Sequence, residues 1–236
     1  MYEAVYATPD GASTPARFAH AAARYGYDGV VVRTTGTEDG PGTRDYDRIR
    51  ERFGTDVVDS VEVVADDPES AIGAIGAHRP SSTLVLVRGG TDRMNRFAAE
   101  RERVDVLVRP FSDGGDVNHV VVKAARDNGV RLAFDLGPVL RLDGGRRVQS
   151  LRKLRKLREL VFAYDAPYVV SATPRSHLQL RAPRELAALG ETLGFSADQV
   201  TEGLREWGRL AARNRHRRSD SFIGPGVERG RYEEDA

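Results

Sequence analysis

The stretch VDVLVRPFSDGGDVNHVVVKAARDNGVRLAFDLGPVL, residues 104–140, contains a strand, a helix and a second strand. Its two ends are apolar and rich in β-branched residues, which favours strands over 104–111 and 130–140. Between them, Asn118 stands where a helix N-cap is expected and Gly129 where a helix stops. Two strands joined by a helix lie parallel in one sheet. The unit therefore predicts an α/β protein.

The same alternation runs through most of the chain. Five further strand-like runs lie at 3–7, 28–35, 57–65, 82–90 and 166–173. Helix starts follow Thr14, Asp67 and Thr91, and the connections are only a few residues long. A repeated βα unit of this kind forms a parallel sheet, and its uninterrupted repetition favours closure into a barrel. We predict a TIM-like, seven-stranded parallel (β/α) barrel as one domain over 1–218, with an extra C-terminal helix and a flexible tail over 219–236.

Composition limits the class of protein. The chain has 236 residues and 40% hydrophobic content, which is enough for a substantial core. It has no cysteine, which excludes disulfides and thiolate metal sites. The sequence shows no apolar run of about 20 residues and no signal-peptide pattern at its start, so we expect a cytoplasmic protein and no membrane partner. Almost all of its bases are arginine, which resembles the proteomes of salt-loving archaea, although a GC-rich genome alone would also produce this pattern.

Charge is distributed unevenly along the chain. Residues 1–70 hold fourteen acids and seven arginines, whereas residues 141–160 hold eight bases and two acids. In SLRKLRKLREL, residues 150–160, helical spacing places leucines on one face and Arg152, Lys153, Arg155 and Lys156 on another. A second basic helix ends in RNRHRR, residues 213–218. These ridges are either solvated helix faces or binding surfaces for a polyanion such as nucleic acid, or for an acidic protein.

Three strands of the predicted barrel end in an arginine: Arg33, Arg88 and Arg109. The C-terminal ends of barrel strands form the functional rim, so three arginines there predict an anion-binding mouth. The histidines are scattered, and no phosphate loop or metalloprotease motif is present. The alternative is a free-standing enzyme acting on a small phosphorylated substrate, in which these arginines clamp the phosphate and Asp10 or Asp135 acts as the base.

Several blocks together carry a resemblance to a known family. They are EAVYATPDG, YGYDGVVVRT, LVLVRGG with MNRFAAERERVDVLVRP, NHVVVKAARDNGVRLAFDLGPVL, and APYVVSATPRSHLQLRAPRELAALGETLGF. Over residues 1–210 the sequence resembles archaeal ribonuclease P protein component 3, the thirty-kilodalton subunit family. The resemblance implies a barrel similar to the polymerase and histidinol phosphatase class of metal phosphoesterases. That class carries an H-x-H pair where this sequence reads YATPDG, so the resemblance implies no metal site on the protein.

The resemblance also implies a role. In that family, catalysis belongs to the RNA subunit with its Mg²⁺, and the protein binds no cofactor of its own. It pairs with protein component 2 and the other subunits to stabilise the catalytic RNA, so that the 5′ leader of precursor tRNA is removed. The RNA contacts that it implies for this sequence are Arg88, Arg109, His119 and Arg181. Arg33 and, in the 150–160 helix, Arg152, Lys153, Arg155 and Lys156 are further candidates from the sequence itself.

Overall fold

The computed structural model describes residues 1–35 and 46–219, and the backbone alone of 222–224 and 227–228. Seven parallel strands pair in chain order. They are β1 (Tyr2–Tyr6), β2 (Gly29–Thr34), β3 (Asp56–Val63), β4 (Leu84–Arg88), β5 (Val106–Val108), β6 (Arg131–Asp135) and β7 (Tyr168–Ser171). Parallel pairing in sequential order, with helices between the strands, is the topology of a (β/α) barrel. The predicted seven-stranded barrel is therefore confirmed.

Helices follow the strands. Those in the described ranges are α1 (Pro15–Arg24), α2 (Tyr46–Phe53), α3 (Pro68–His78), α4 (Asp92–Ala99), α5 (His119–Asp127), α6 (Gly137–Arg141), α7 (Gly144–Ala163), α8 (Pro183–Thr192) and α9 (Ala197–Arg217). The predicted N-caps Thr14, Asp67, Thr91 and Asn118 all accept a backbone N–H of the first turn. Local hydrogen bonding of this kind fixes where a helix begins, which explains why these starts could be predicted.

The interior of the barrel is apolar through most of its depth. Its inward apolar side chains include Ala4, Val31, Val58, Leu84, Leu86, Val106, Val108, Ala133 and Val169. Trp207, Leu210 and Ala211 of α9 complete this cluster, and Trp207 Nε1 donates to Val170 O at 2.9 Å. At Gly203 an added Cβ would lie 2.5 Å from Val170 Cγ2, so the lack of a side chain lets α9 approach β7. The extra C-terminal helix thus closes the barrel end at which the strands begin.

Side chains rather than a strand ladder join β1 to β7. Glu3 Oε1 accepts hydrogen bonds from the Ala172 N–H, at 3.0 Å, and from the Ser171 hydroxyl. The Ser171 hydroxyl also donates to Ala4 O at 3.0 Å. Burial of Glu3 raises the pKa of its carboxyl group to about 7. A fully buried carboxyl group therefore holds the seam of the barrel.

One prediction about the chain is wrong, and another falls mostly outside the described residues. The predicted strand over 130–140 is wrong in its second half, because β6 ends at Asp135 and α6 begins at Gly137. Pro138 lies in the first turn of α6, a position where its missing N–H costs nothing. The predicted flexible tail, 219–236, falls mostly outside the described residues, although the backbones of Phe222–Gly224 and Val227–Glu228 pair antiparallel. The domain boundary at 218 stays a prediction.

Candidate functional site

A buried carboxylate, Glu62, binds three side chains inside the barrel, near the C-terminal ends of the strands. It is fully buried and accepts from the Tyr6 hydroxyl at 2.6 Å, from Arg33 at 2.7 Å and from Arg88 at 2.8 Å. Burial by itself raises the pKa of a carboxyl group, but Arg33, the Tyr6 hydroxyl and Arg88 outweigh it and lower the pKa of Glu62 to about 2. Glu62 is therefore ionised, and it fixes two of the three predicted strand-end arginines.

The placement of Arg33 corrects the expectation of three arginines open to the mouth. Its side chain is only 2% exposed, whereas Arg88 is 27% exposed. The Arg33 guanidinium lies 4.6 Å from the centroid of the Tyr6 ring and donates a hydrogen bond to Glu62. Because β2 directs residue 33 into the barrel, this arginine neutralises an internal acid and is not accessible to a large anion. Arg88 stays accessible in part.

Arg109 does face the mouth. Its guanidinium carbon lies 5.7 Å from the centroid of the Tyr6 ring, and Arg175 approaches the same ring at 4.8 Å. Within the described ranges, the Arg109 guanidinium has no hydrogen-bond acceptor or ion-pair partner. Its backbone adopts a φ of 51°, in the left-handed region that arginine rarely occupies. The turn is held by Ser112, whose N–H and hydroxyl donate to Arg109 O at 3.2 and 2.8 Å.

A cavity of about 470 Å³ opens beside these arginines, and we call it the mouth cavity. It is bounded by the loop after β5, by α6, by the first half of α7 and by the loop after β7. Its charged lining consists of Arg109, Asp135, Arg141, Lys153 and Arg175, and its apolar lining includes Phe111, Pro138, Leu142 and Leu154. Four cations therefore face one carboxylate. This balance predicts affinity for an anion.

The predicted basic face of α7 lies next to this cavity. Leu154, Leu157 and Val161 are buried, as the spacing predicted. Lys153 Nζ donates to Phe111 O at 3.1 Å, and Lys156 forms an ion pair with Asp116, so this part of α7 lies level with the loop after β5. Arg155 donates to Thr192 O at 2.8 Å on the other flank. Arg152 is exposed, and the described residues offer it no partner.

The remaining predicted residues lie apart from one another. His119 begins α5 and is exposed, with its ring 6.3 Å from that of Tyr164. Arg181 lies on the outer side of the barrel, where its carbonyl accepts from the Tyr27 hydroxyl at 2.8 Å. The structure therefore brings Arg88, Arg109 and Lys153 to one end of the barrel and does not bring Arg181 to them.

Sequence reasoning missed the residues that organise the mouth. Glu62 and Tyr6 lie at inward positions near the C-terminal ends of β3 and β1, Arg141 is the last residue of α6, and Arg175 lies in the loop after β7. Alternation along β3 could have placed Glu62 inside the barrel, since it shares a face with Val58. No local signal identifies the positions of Arg141 and Arg175 at the mouth.

The basic C-terminal end of α9, for which the sequence left a solvated face and a binding surface both open, is paired in part with acids of the barrel. Arg213 binds Asp105 at 2.8 Å, and Arg215 binds Asp56 at 2.7 Å. Arg209 pairs with Glu202 and Glu206 on its own helix. These acids lie near the starts of strands or on α9 itself. The arginines consequently fasten α9 to the barrel.

The acids proposed for the alternative enzyme are engaged. Asp10 accepts from the N–H and the hydroxyl of Thr35, at 2.9 and 2.5 Å. Asp135 accepts from the Thr173 hydroxyl at 2.6 Å and from the Gly137 N–H at 2.9 Å. Across residues 1–35 and 46–219, no three histidines or acids cluster as metal ligands would. Among the described helices, none is both long enough and apolar enough to span a membrane.

Comparison with known proteins gives consistent matches over the whole chain. The family model described as "RNase P subunit p30" matches residues 1–219. The chain is 58% identical to ribonuclease P protein component 3 of Halorubrum lacusprofundi over 241 residues, covering 100% of both chains. It is 56% identical to the protein of the same name from Haloarcula marismortui, covering 100% of this chain and 98% of that one.

Two solved structures share the fold. A chain of archaeal ribonuclease P with mature tRNA superposes with a TM-score of 0.80 at 19% identity, covering 100% of both chains. A histidinol phosphate phosphatase from Lactococcus lactis, solved with zinc, L-histidinol and phosphate, gives a TM-score of 0.55 at 8% identity, covering 82% of this chain and 92% of that one. At these identities the likeness concerns the barrel alone.

Proposed function

The chain belongs to the ribonuclease P subunit p30 family, and on that premise we propose that it is an RNA-binding, non-catalytic subunit of ribonuclease P. In this role it stabilises the catalytic RNA, and the removal of the 5′ leader from precursor tRNA belongs to the RNA subunit, which would hold the Mg²⁺. Protein component 2 is its proposed partner among the other subunits. The solved ribonuclease P with mature tRNA, which contains a chain of this fold, supports this assembly.

The observation that carries the proposal is the exposed basic face of α7. Arg146, Arg147 and Arg152 are exposed, and among the described residues their guanidinium groups have no partner. Lys153, on the same helix, lines the mouth cavity. Unpaired arginines on a helix that adjoins a cationic cavity are available to bind a polyanion. Arg88, Arg109, His119, Lys156 and Arg155 are the further proposed contacts, and Arg181 would contact RNA on the flank.

The predominance of arginine fits the high salt of halophilic archaea, the source of the two relatives named above. At about 1 M salt the Debye length is near 3 Å, so attraction at a distance is lost and binding depends on direct contact. A guanidinium group can donate two parallel hydrogen bonds to a phosphate, which an ammonium group cannot do. Exposed arginines are therefore better suited than exposed lysines to bind phosphate at high salt.

The test is reconstitution of the holoenzyme from its RNA and protein subunits, with Arg146, Arg147 and Arg152 all changed to Gln. We expect slower 5′-leader cleavage at limiting Mg²⁺ and a salt dependence of RNA binding that is shallower by about 2 to 3 units of slope. The matched control changes Arg24, Arg103 and Arg184 to Gln, which removes the same charge from other exposed positions. Equal behaviour of the two triple variants would refute α7 as the RNA-binding face.

The non-catalytic role has its own test. The purified chain without RNA should not hydrolyse p-nitrophenyl phosphate with added Mg²⁺, Mn²⁺ or Zn²⁺. Metal-dependent turnover that copurifies with the chain, and that Asp135→Asn abolishes, would instead support the enzyme acting on a small phosphorylated substrate. Pull-down by immobilised component 2 would test the proposed partnership.

A further inference from the structure

The lining of the mouth cavity combines two chemical kinds of side chain. Arg109, Arg175 and Arg141 make up what we call the cationic wall, and Phe111, Leu142 and Leu154 what we call the apolar wall. An inorganic anion would use only the cationic wall. A ligand with a charged group and a flat apolar group would use both, and a nucleotide has this composition.

The cationic wall is incompletely neutralised. Asp135, the single carboxylate of the lining, already accepts from Thr173 and Gly137. Arg141 donates to Ala172 O at 3.0 Å, and burial and the nearby Arg109 and Arg175 lower its pKa. Cations that disfavour one another's charge gain from an anion placed between them.

Backbone strain is concentrated at the same end of the barrel. Four non-glycine residues of the described chain have positive φ, and three of them follow strands at this end: Arg109 (51°), Asp113 (47°) and Thr173 (45°). A left-handed backbone costs a side-chain-bearing residue about 1 kcal/mol or more, and such strain is typical of functional sites. At Arg109 it holds a guanidinium that lies against the Tyr6 ring and has no hydrogen-bond acceptor among the described residues.

The size of the cavity restricts the ligand. About 470 Å³ is enough for one nucleotide and far too small for a duplex. Proteins recognise RNA bases chiefly in unpaired segments, where a base can be splayed out and stacked against an aromatic ring. Phe111 supplies such a ring beside Lys153 Nζ, which lies 5.8 Å from its centroid.

We propose that the mouth cavity binds a single unpaired nucleotide, with its phosphate on Arg109 and Arg175 and its base against Phe111 and Leu142. This inference rests on the proposed function and deepens it, because the nucleotide would be one extruded from the RNA. A free nucleoside monophosphate has the same chemistry, so the experiment must separate the two sources.

The first measurement titrates the purified chain, in molar KCl, with UMP, AMP and inorganic phosphate, followed by NMR. We expect both nucleotides to bind at least about 10-fold more tightly than phosphate, because only they use the apolar wall. Arg109→Gln should weaken nucleotide binding about 10-fold, and Arg184→Gln, on the outer surface, should leave it unchanged. Phe111→Leu keeps the wall apolar and should weaken the nucleotides but not phosphate.

The second measurement identifies the source. The holoenzyme is reconstituted with RNA containing 4-thiouridine, irradiated, and digested for mass spectrometry of the crosslinked peptides. A crosslink to the peptide carrying Phe111, lost in Arg109→Gln and reduced by added UMP, would show an RNA nucleotide in the cavity. Mononucleotide binding without that crosslink would support a nucleotide site filled from solution.

The proposal is overturned if neither nucleotide binds more tightly than phosphate and no crosslink reaches the cavity. That result would leave the proposed function standing as long as the α7 variant still lowers RNA binding relative to its control. Loss of the difference between those two triple variants would instead remove the proposed function, whatever occupies the cavity.

Discussion

The arginines at the two ends of the barrel differ in their partners. Where the strands begin, Arg79 and Arg213 both bind Asp105, and Arg215 binds Asp56. Where the strands end, Arg109 meets the face of an aromatic ring, and the adjoining cavity has four cations for one carboxylate. The number of arginines in a sequence therefore does not indicate how many can bind a ligand. The positions of the acids decide it.

The difference follows from α9. The helix has an apolar stripe and a basic end, and burial of Trp207 in the barrel brings the basic end over acids near the starts of β3 and β5. Ion pairs of this kind cost desolvation and gain little net stability, but they specify where the helix docks. If this contrast is correct, substitutions at the closed end should act on stability and those at the mouth on binding.

The largest expected effect is at the closed end. Trp207→Ala removes a fully buried indole and leaves Val170 O without its donor, which should destabilise the protein by about 4 kcal/mol. Denaturant unfolding in molar KCl would measure it. Val148→Ala, which truncates an exposed side chain on α7, is the control and should change stability by less than about 0.5 kcal/mol. Similar values for both variants would mean that α9 is not part of the core.

Glu62→Gln should be an exception to this contrast. Glu62 lies near the strand ends but is buried below the surface of the mouth, so its substitution should affect stability. Glu62→Gln leaves the buried Arg33 without a countercharge and should destabilise the protein by about 3 kcal/mol. Glu69→Gln removes an exposed partner of Arg93 and should cost well under 1 kcal/mol. Unfolding curves of the two variants provide the comparison. A stable Glu62→Gln protein would mean that Arg33 is free to leave the barrel.

The seam carboxyl group gives a pH-dependent prediction. The pKa of Glu3 is about 7 in the folded protein and 4.5 for an ordinary glutamate, so the folded state binds more protons between these values. Its contribution to stability is therefore present below about pH 4.5 and is lost as the pH rises through 7. The loss amounts to up to about 3 kcal/mol.

Glu3→Gln keeps the acceptor oxygen and cannot ionise. This variant should be more stable than the natural protein at pH 8 by about 2 kcal/mol and less dependent on pH between 5 and 8. Unfolding measured across that range would show the change, with Glu51→Gln, on the exposed surface of α2, as the control. Parallel pH profiles for Glu3→Gln and the natural protein would argue against a protonated seam.

The smallest expected effect compares two exposed arginines. Arg152→Gln on α7 should reduce the salt dependence of RNA binding by slightly less than one unit of slope. Arg209→Gln should leave that slope unchanged, because Arg209 is paired with Glu202 and Glu206. Binding of the protein subunits to the catalytic RNA, measured at several KCl concentrations, gives the slope for each variant. Equal reductions in slope for the two variants would show that an arginine paired on α9 still binds RNA.

Much of the fold could be predicted because its signals are local. A side chain such as Asn118 caps the helix that follows it, and Gly129 at a φ of 66° ends the same helix. Alternation of strands and helices with short connections leaves few topologies open. The prediction over 130–140 was wrong at its end because a proline permits both an extended segment and a first helical turn.

The candidate site could be predicted only in part. The strand ends indicated Arg88 and Arg109 at the mouth, but not that Glu62 would enclose Arg33. The 150–160 helix was recognisable as basic, yet its position beside the mouth depends on Lys153 and Lys156 reaching the loop after β5. The role of these residues in RNA binding stays a prediction.

The sequence by itself determined the barrel, the helix starts and the family, since these follow from periodicity, capping and similarity along the chain. Only the tertiary structure decided which arginines are available. Arg215 meets Asp56 from 159 positions away, and Arg213 meets Asp105 from 108. Charges interact through distance in space, and the folded barrel rather than the order of residues sets that distance.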